Sequence, residues 1–300
     1  MNKEKEQSSV LVIGAGLMGS GIAHAFAVAG DRVQLHDANP LASEKAVTNI
    51  REVLNAAVAL KKLQQEEVEA VVERITIVAD MAAAAATADL VVETATEDLA
   101  IKLDIIKMLS TAARPDAFIT SNTSALSITE LAAATRHPER FAGLHFFNPV
   151  HKMKLVEIVR GLETSKETVE YLQACTKCMG KQSVVVADSP GFTTSRMSAM
   201  LGNEAMYMLQ DGVASAEDID TALRLGLGHP MGPLELGDLT GWDTRLSVLH
   251  YLNRTLGERF RPCPLIEEMV KAGRTGRKVG HGVYEYKDGQ KVAGSGLSTR

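Results

Sequence analysis

Short apolar runs alternate with helical patterns along the first two thirds of the chain, and helical patterns alone follow. The runs at residues 10–13, 32–36, 89–93 and 117–120 have the length and β-favouring content of buried strands. Strands that alternate with helices typically form a parallel sheet covered by helices. Strand-like runs disappear after residue 192. We therefore predict an α/β chain, with a mostly parallel sheet domain over residues 1–188 and an all-helical domain over residues 189–300.

The first apolar run leads directly into the glycine motif GAGLMG at residues 14–19 and then into a helical pattern. Such a loop lets a pyrophosphate approach the backbone at the N-terminus of the helix, which is the Rossmann arrangement. Asp37 ends the second strand about twenty residues later, where an acid accepts hydrogen bonds from a ribose 2′-hydroxyl. No arginine follows it directly, so we predict a Rossmann-type domain that binds NAD rather than NADP. The predicted contacts are Gly14, Gly16, Leu17, Met18, Gly19 and Asp37. The alternative is a glycine turn in an unrelated α/β protein, with Asp37 as a helix cap.

Two strand-like runs at residues 141–147 and 154–159 carry the candidate chemistry. They contain His145 and Glu157 and are joined by a connection that includes Pro149. This connection between two short strands would bring the imidazole and the carboxylate into contact, and the carboxylate would then orient the ring. The alternative is a structural strand histidine.

Small polar residues, SNTS, follow the predicted strand at residues 117–120. Polar side chains at the carboxyl ends of strands in an open α/β sheet lie where ligands bind. Ser124 is therefore a candidate ligand contact, although it is equally suited to begin the next helix as its N-cap.

Composition limits the classes of partner. The net charge of −5 gives no basic field, which argues against nucleic acid. The polar start of the chain and the lack of a long apolar run predict neither a signal peptide nor a spanning helix, so we expect a cytoplasmic protein without a membrane partner. Three cysteines fit a reducing compartment. Cys175 and Cys178 form a lone C-x-x-C inside a helical pattern, so we expect plain helix residues and no metal site.

Four stretches resemble the 3-hydroxyacyl-CoA dehydrogenase family, and within it the short bacterial members that act on 3-hydroxybutyryl-CoA. These stretches are GAGLMGSGIAHAFA, SNTSALSITELA, GLHFFNPVHKMKLVEIV and HPMGPLELGDLTGWD, and the tail GRKVGHGVYEY is similar to the ending of that family. The resemblance spans nearly the whole chain. It implies an NAD-dependent enzyme that interconverts (S)-3-hydroxyacyl-CoA and 3-ketoacyl-CoA, and it suggests a homodimer.

The resemblance also implies roles for single residues. His145 and Glu157 match the catalytic dyad of the family. Ser124 and Asn148 match its substrate-contacting positions, and we expect them beside the cofactor as well. The remaining implied cofactor contacts are Asp37, Glu97, Lys102 and Lys278.

Two positions depart from the family pattern. Ser195 stands where the family has a substrate-contacting asparagine, and His151-Lys152 replaces Pro-Val. The basic residues nearest to a CoA phosphate site are predicted to be Lys61 and Lys62. Two other functions stay open at this point, namely a dehydrogenase of a free hydroxy acid or sugar acid, and an NAD-binding protein with little turnover.

Overall fold

A computed structural model describes residues 7–298 as two compact units that divide between Ser189 and Pro190. Residues 1–6, which form most of the polar start, lie outside the described residues. The first unit is a Rossmann-type α/β unit and the second is helical, so the predicted fold class is confirmed. Among the described residues, no helix has the length and apolar character needed to cross a bilayer.

The first unit is built on one sheet of eight strands within the described residues. The strands are β1 (Ser9–Ile13), β2 (Arg32–His36), β3 (Ile75–Ile77), β4 (Leu90–Glu93), β5 (Phe118–Ser121), β6 (Phe141–Phe146), β7 (Leu155–Arg160) and β8 (Gln182–Ala187). Their order across the sheet is β3-β2-β1-β4-β5-β6-β7-β8. Neighbouring strands run parallel except at β6 and β7, which are antiparallel. The chain therefore reverses at the pair of strands that holds His145 and Glu157.

Helices cover both faces of this sheet, so its central strands are buried. They are α1 (Leu17–Val28), α2 (Pro40–Ala59), α3 (Gln65–Val72), α4 (Met81–Ala85), α5 (Leu99–Ala112), α6 (Ile128–Ala132) and α7 (Lys166–Cys178), with a 3₁₀ turn at Pro138–Arg140. Strands β4 and β6 are buried along their whole length. Their apolar runs match the content that a strand covered on both faces requires. Cys175 and Cys178 both lie in α7, which confirms the prediction that they are helix residues.

The helical pattern over residues 42–73 is not one continuous helix. It is divided into α2 and α3 by a turn in which Lys61 has a φ of 56°. This left-handed conformation cannot continue a right-handed helix. Lys61 and Lys62 are both exposed in that turn.

The second unit packs its helices around a core that includes Trp242, Leu249 and Phe260. The helices are α8 (Thr194–Gln210), α9 (Ala216–Gly226), α10 (Pro233–Thr240), α11 (Trp242–Leu256) and α12 (Pro264–Lys271), with 3₁₀ turns at Glu258–Phe260 and Arg277–Val279. The helical pattern over residues 234–256 is divided into two helices, because Gly241 has a φ of 94° and separates α10 from α11.

The end of the chain corrects the prediction of an all-helical second domain in one detail. A short antiparallel pair, β9 (Tyr286–Lys287) and β10 (Gln290–Lys291), follows the last helix. The segment before it is ordered by Asp238, a buried carboxylate that accepts hydrogen bonds from Trp242 Nε1 and from the Val283 and Tyr284 amides. Burial raises the pKa of Asp238, while these hydrogen bonds act in the opposite direction.

Candidate active site

The antiparallel pair β6 and β7 brings His145 and Glu157 together. The two residues are direct partners in the strand register. His145 Nδ1 lies 2.8 Å from Glu157 Oε2, and the two residues are only 4% and 0% exposed. Because an ionised carboxylate can only accept, the ring donates Nδ1–H to Glu157, and in a neutral imidazole Nε2 is then the acceptor. The predicted contact between these side chains is present.

Ser124 lies against the other ring nitrogen of His145. Its Oγ is 3.1 Å from His145 Nε2. The suggestion that Ser124 caps the next helix is wrong, because Ser127 is the N-cap of α6 and its Oγ accepts from the Glu130 amide. Ser124 is therefore three residues too early for the cap and sits instead in the loop after β5. This loop places an exposed hydroxyl beside the histidine.

Two further residues hold the strand that carries His145. The buried Asn122 accepts a hydrogen bond from the Phe146 amide through Oδ1 at 2.8 Å. The ring of Phe147 packs against the imidazole with centroids 4.6 Å apart. Sequence reasoning gave neither residue a role. An asparagine directly after a buried strand was the available signal for Asn122.

A buried ion pair lies at the end of β4. The Lys102 ammonium is 2.8 and 2.9 Å from the two carboxylate oxygens of Glu93, and both side chains are almost fully buried. Lys102 also donates to the Ala95 carbonyl. Its three donors are therefore used within the protein, so a direct contact with a cofactor would require one of these bonds to break. Glu93 was missed by the sequence analysis, although an acid at the end of an apolar strand is a signal.

Glu97 is bonded to the loop that carries Ser124. Glu97 Oε1 accepts from Thr123 Oγ1 at 2.5 Å, from the Ser124 amide at 3.0 Å and from the Ala125 amide at 3.2 Å. Glu97 lies just before α5, whose N-cap is Asp98. The side chain of Glu97 is 45% exposed, so it also borders solvent beside this loop.

The glycine loop has the geometry that a dinucleotide needs. Gly14 has a φ of 93°, and a Cβ there would lie 2.7 Å from the Thr94 carbonyl oxygen. A Cβ on Gly19 would collide with the Gly14 carbonyl, whereas Gly16 faces open space. Gly16 is also the N-cap residue of α1. The loop therefore leaves room for a phosphate at the N-terminus of α1.

Asp37 is hydrogen-bonded to the glycine loop. Its carboxylate accepts from the Ala15 amide at 2.7 Å and from the Asn39 amide at 2.8 Å. The suggestion that Asp37 caps a helix is wrong, because Asn39 is the N-cap of α2. Asp37 is half-buried at the end of β2. Its position beside Ala15 fits the predicted contact with a ribose.

A cavity of about 400 Å³ opens beside the glycine loop. It is lined by one face of α2, by part of α1 and by the segment 148–151, with the residues Ala15, Gly16, Leu17, Ser20, Gly21, His24, Ala42, Lys45, Ala46, Asn49, Ile50, Val53, Asn148, Pro149, Val150 and His151. Gly21 permits this arrangement, because a Cβ there would lie 2.8 Å from Val150. Burial, reinforced by His151 and Lys181, lowers the pKa of His24 to about 4. The cavity thus holds a neutral imidazole at neutral pH.

Three other predicted residues lie at the rim of the cavity or in the second unit. Asn148 is exposed at the rim of the cavity, before a cis peptide bond to Pro149. Lys278 is in the second unit, where its ammonium lies 2.6 Å from Asp243. Ser195 is half-buried in the first turn of α8. The roles predicted for these residues, and for Lys61 and Lys62, stay predictions.

Comparison with known proteins gives a consistent result over both units. Residues 9–189 match the family model for the NAD binding domain of 3-hydroxyacyl-CoA dehydrogenase, and residues 191–286 match the model for its C-terminal domain.

Individual relatives are similar over nearly their full length. A protein of Bacillus subtilis named "Probable 3-hydroxybutyryl-CoA dehydrogenase" is 44% identical over 94% of this chain and 99% of its own. A 3-hydroxybutyryl-CoA dehydrogenase of Bradyrhizobium diazoefficiens is 43% identical over 94% and 96% of the two chains. The crystal structure of (S)-3-hydroxybutyryl-CoA dehydrogenase from Ralstonia eutropha superposes with a TM-score of 0.91 at 41% identity, covering 94% of this chain and all of that one.

Proposed function

The chain belongs to the 3-hydroxyacyl-CoA dehydrogenase family, and from this premise we propose that His145 is the general base through which it oxidises (S)-3-hydroxyacyl-CoA. The family and its relatives establish an NAD-dependent enzyme that acts on 3-hydroxyacyl-CoA. The assignment of residues to steps, and the short acyl chain, are the proposal. The observation that carries it is the 2.8 Å contact between His145 and the buried Glu157.

The residues present fit the cofactor. The open space at Gly16 and the N-terminus of α1 suit the pyrophosphate, and Asp37 at the end of β2 suits the adenine ribose. When bound, NAD accepts the hydride that leaves C3 of the substrate. The protein then has to orient the substrate and remove one proton.

Proton transfer is assigned to His145. Its Nε2 takes the proton of the substrate hydroxyl while the carbonyl forms, because Glu157 holds the Nδ1–H tautomer and leaves Nε2 as an acceptor. The Glu157 carboxylate also stabilises the imidazolium that results. Ser124 Oγ, 3.1 Å from Nε2, is placed to hold the substrate oxygen. Asn148, three residues after His145, is the second proposed contact to the substrate and lies at the mouth of the cavity.

The shape of the cavity supports an acyl-CoA substrate. The residues of α2 that line it run from Ala42 to Val53, which is about 16 Å along the helix at 1.5 Å per residue. An elongated and mostly apolar groove suits the pantetheine arm of CoA. Lys61 and Lys62 follow the C-terminal end of α2 and are exposed, so we assign them to the CoA phosphates. The substrate proposed from the relatives is 3-hydroxybutyryl-CoA.

Association and location complete the proposal. Large apolar side chains are exposed on the second unit, namely Met197, Val213, Leu225 and Leu227. We propose a homodimer in which these exposed apolar side chains are buried against the partner subunit. No disulfide joins the three cysteines, all of which lie in the described residues, and this supports the cytoplasm as the proposed location.

The test is a comparison of substrates and variants in an NADH oxidation assay. Acetoacetyl-CoA should be reduced by the wild-type protein, whereas free acetoacetate and other free keto acids should not. His145→Gln should lower kcat by about 10²-fold or more while the dissociation constant of NADH is retained. His137→Gln is the matched control, because His137 forms an exposed pair with Glu139 at 3.2 Å.

Each other outcome selects a different function. Turnover of free acids alone would mean a hydroxy acid dehydrogenase, and NADH binding without turnover of either class would mean a binding protein. Unchanged kcat in the His145→Gln variant would remove His145 from the mechanism.

A further inference from the structure

The end of β4 lies between the glycine loop and the dyad. The strand order places β4 between β1 and β5, where the direction of strand succession reverses and ligands bind in such sheets. Glu93 is the last residue of β4 and pairs in register with Ile13 on one side and Ser121 on the other. Glu93 is therefore next to the strand that leads into the glycine loop and to the strand that leads into the loop of Ser124.

Glu93 fixes the position of the Lys102 ammonium group. Its carboxylate is 0% exposed and also accepts from Ser121 Oγ at 2.5 Å and from the Ala95 amide at 2.6 Å. The Lys102 ammonium is held at 2.8 and 2.9 Å from Glu93 and stays 3.7 Å from Glu97. Lys102 is thus paired with Glu93 in preference to the second carboxylate nearby.

This preference leaves Glu97 available to the loop after β5. One oxygen of Glu97 accepts the three donors of residues 123–125, and this loop presents Ser124 Oγ to His145 Nε2 at 3.1 Å. A continuous series of contacts therefore runs from Glu93 through Lys102 and Glu97 to the hydroxyl beside the base.

We propose that the Glu93–Lys102 pair is a positioning device for Ser124. Glu93 retains the Lys102 charge, so that Glu97 anchors the loop and Ser124 stays aligned with His145. The inference rests on the proposed function, because it assigns a purpose to the alignment of the proposed base. A buried ion pair adds little to stability over a well-packed apolar pair, so this purpose accounts for its presence at the site.

The substitution Glu93→Gln tests this positioning role, because it removes the negative charge and keeps the size of the side chain. Without the carboxylate, the nearest anion to the Lys102 ammonium is Glu97, 3.7 Å away. Lys102 lies beside Glu97 Oε2, whereas the donors of the loop bond to Oε1. Lys102 should then pair with Oε2, draw the carboxylate towards itself and lengthen the hydrogen bonds that hold the loop. A displacement of a positioning group by about 1 Å costs up to about 100-fold in rate. At saturating NADH, we expect kcat with acetoacetyl-CoA to fall by about 10- to 100-fold, while KM for acetoacetyl-CoA changes by less than about threefold.

A double variant separates positioning from a loss of packing. Glu93→Gln with Lys102→Met removes the ammonium that would draw Glu97 away. The double variant should therefore be at least about tenfold faster than Glu93→Gln alone, a non-additive effect expected of coupled residues. If the pair served packing alone, the folded single variant would keep the wild-type kcat.

The matched control is Asp89→Asn, at the opposite end of the same strand. Asp89 accepts from the Ser9 amide and pairs with Arg114 at 3.2 Å. This variant should lose stability, and its kcat should stay within about twofold of wild type. Melting curves and circular dichroism spectra establish that each variant is folded.

The results distinguish this inference from the proposed function. A wild-type protein inactive on acetoacetyl-CoA would refute the proposed function. An active wild type would refute only the inference if Glu93→Gln kept its kcat, or if the double variant were as slow as the single one. If Glu93→Gln does not fold, Glu93→Asp replaces it, since it keeps the charge but withdraws it by one methylene. A folded Glu93→Asp variant with wild-type kcat would likewise overturn the inference.

Discussion

Replacement of Glu157 by glutamine tests the two effects proposed for this carboxylate, namely its negative charge and its control of the His145 tautomer. The change keeps the size of the side chain but replaces an acceptor-only carboxylate with an amide that also donates. An amide NH₂ facing His145 Nδ1 would make that nitrogen the acceptor and place the ring proton on Nε2. His145 would then be unable to take a proton from the substrate.

The structure allows an estimate of how much the Glu157 charge stabilises the His145 imidazolium. Nδ1 and Oε2 are 2.8 Å apart and Glu157 is 0% exposed, so the charge centres of imidazolium and carboxylate are about 4 Å apart in a water-poor site. At an effective dielectric constant of about 20, such a pair is stabilised by about 4 kcal/mol. Each 1.4 kcal/mol corresponds to about tenfold in rate, so kcat should fall by about 10³-fold.

The assay is NADH oxidation with acetoacetyl-CoA at saturating concentrations, combined with an NADH binding titration. Glu139→Gln is the control, because Glu139 pairs with an exposed histidine at 3.2 Å. That variant should keep full activity, since exposed pairs contribute little. A Glu157→Gln variant that folds, binds NADH and loses less than about tenfold in kcat would refute the assigned role of Glu157.

Two further predictions concern residues outside the dyad. Because burial lowers the pKa of His24 to about 4 in the folded state, against about 6.5 when unfolded, its stabilising effect is present above pH 6.5 and is lost as the pH falls towards 4. Denaturant unfolding should show that His24→Gln removes about 1–2 kcal/mol of the wild-type loss between pH 7 and pH 5, and equal losses in both proteins would contradict this. Ser195→Asn should raise kcat/KM for short acyl-CoA substrates if the shorter serine side chain fails to reach a substrate group that asparagine would contact. Slower turnover at every chain length would instead mean that serine is suited to this site.

Local patterns were sufficient to predict the dyad. A short connection between two β-favouring runs restricts them to an antiparallel neighbour arrangement, and the register follows from it. The partners His145 and Glu157 therefore face each other as expected. The glycine loop was equally predictable, because its strand, turn and helix are contiguous in the chain.

Side-chain pairings and the exact bounds of short helices were not predictable. The sequence assigned Lys102 to the cofactor, but no pattern indicates that its ammonium turns back to Glu93 within the fold. The choice between Ser124 and Ser127 as the cap of α6 also depended on where that helix begins, and the bounds of short helices are poorly defined by periodicity.

The acids at the carboxyl edge of the sheet explain how an anionic cofactor is accommodated there. Asp37 is bonded to the Ala15 amide, Glu93 to Lys102, Glu97 to loop amides and Glu157 to His145. Each carboxylate thus already faces a donor supplied by the protein, which reduces its repulsion of a pyrophosphate. The N-terminus of α1 at Gly16 then provides an attractive field for the phosphates. Among these four pairs only the one with Glu157 includes an imidazole, which is why the proposed proton transfer is assigned to His145.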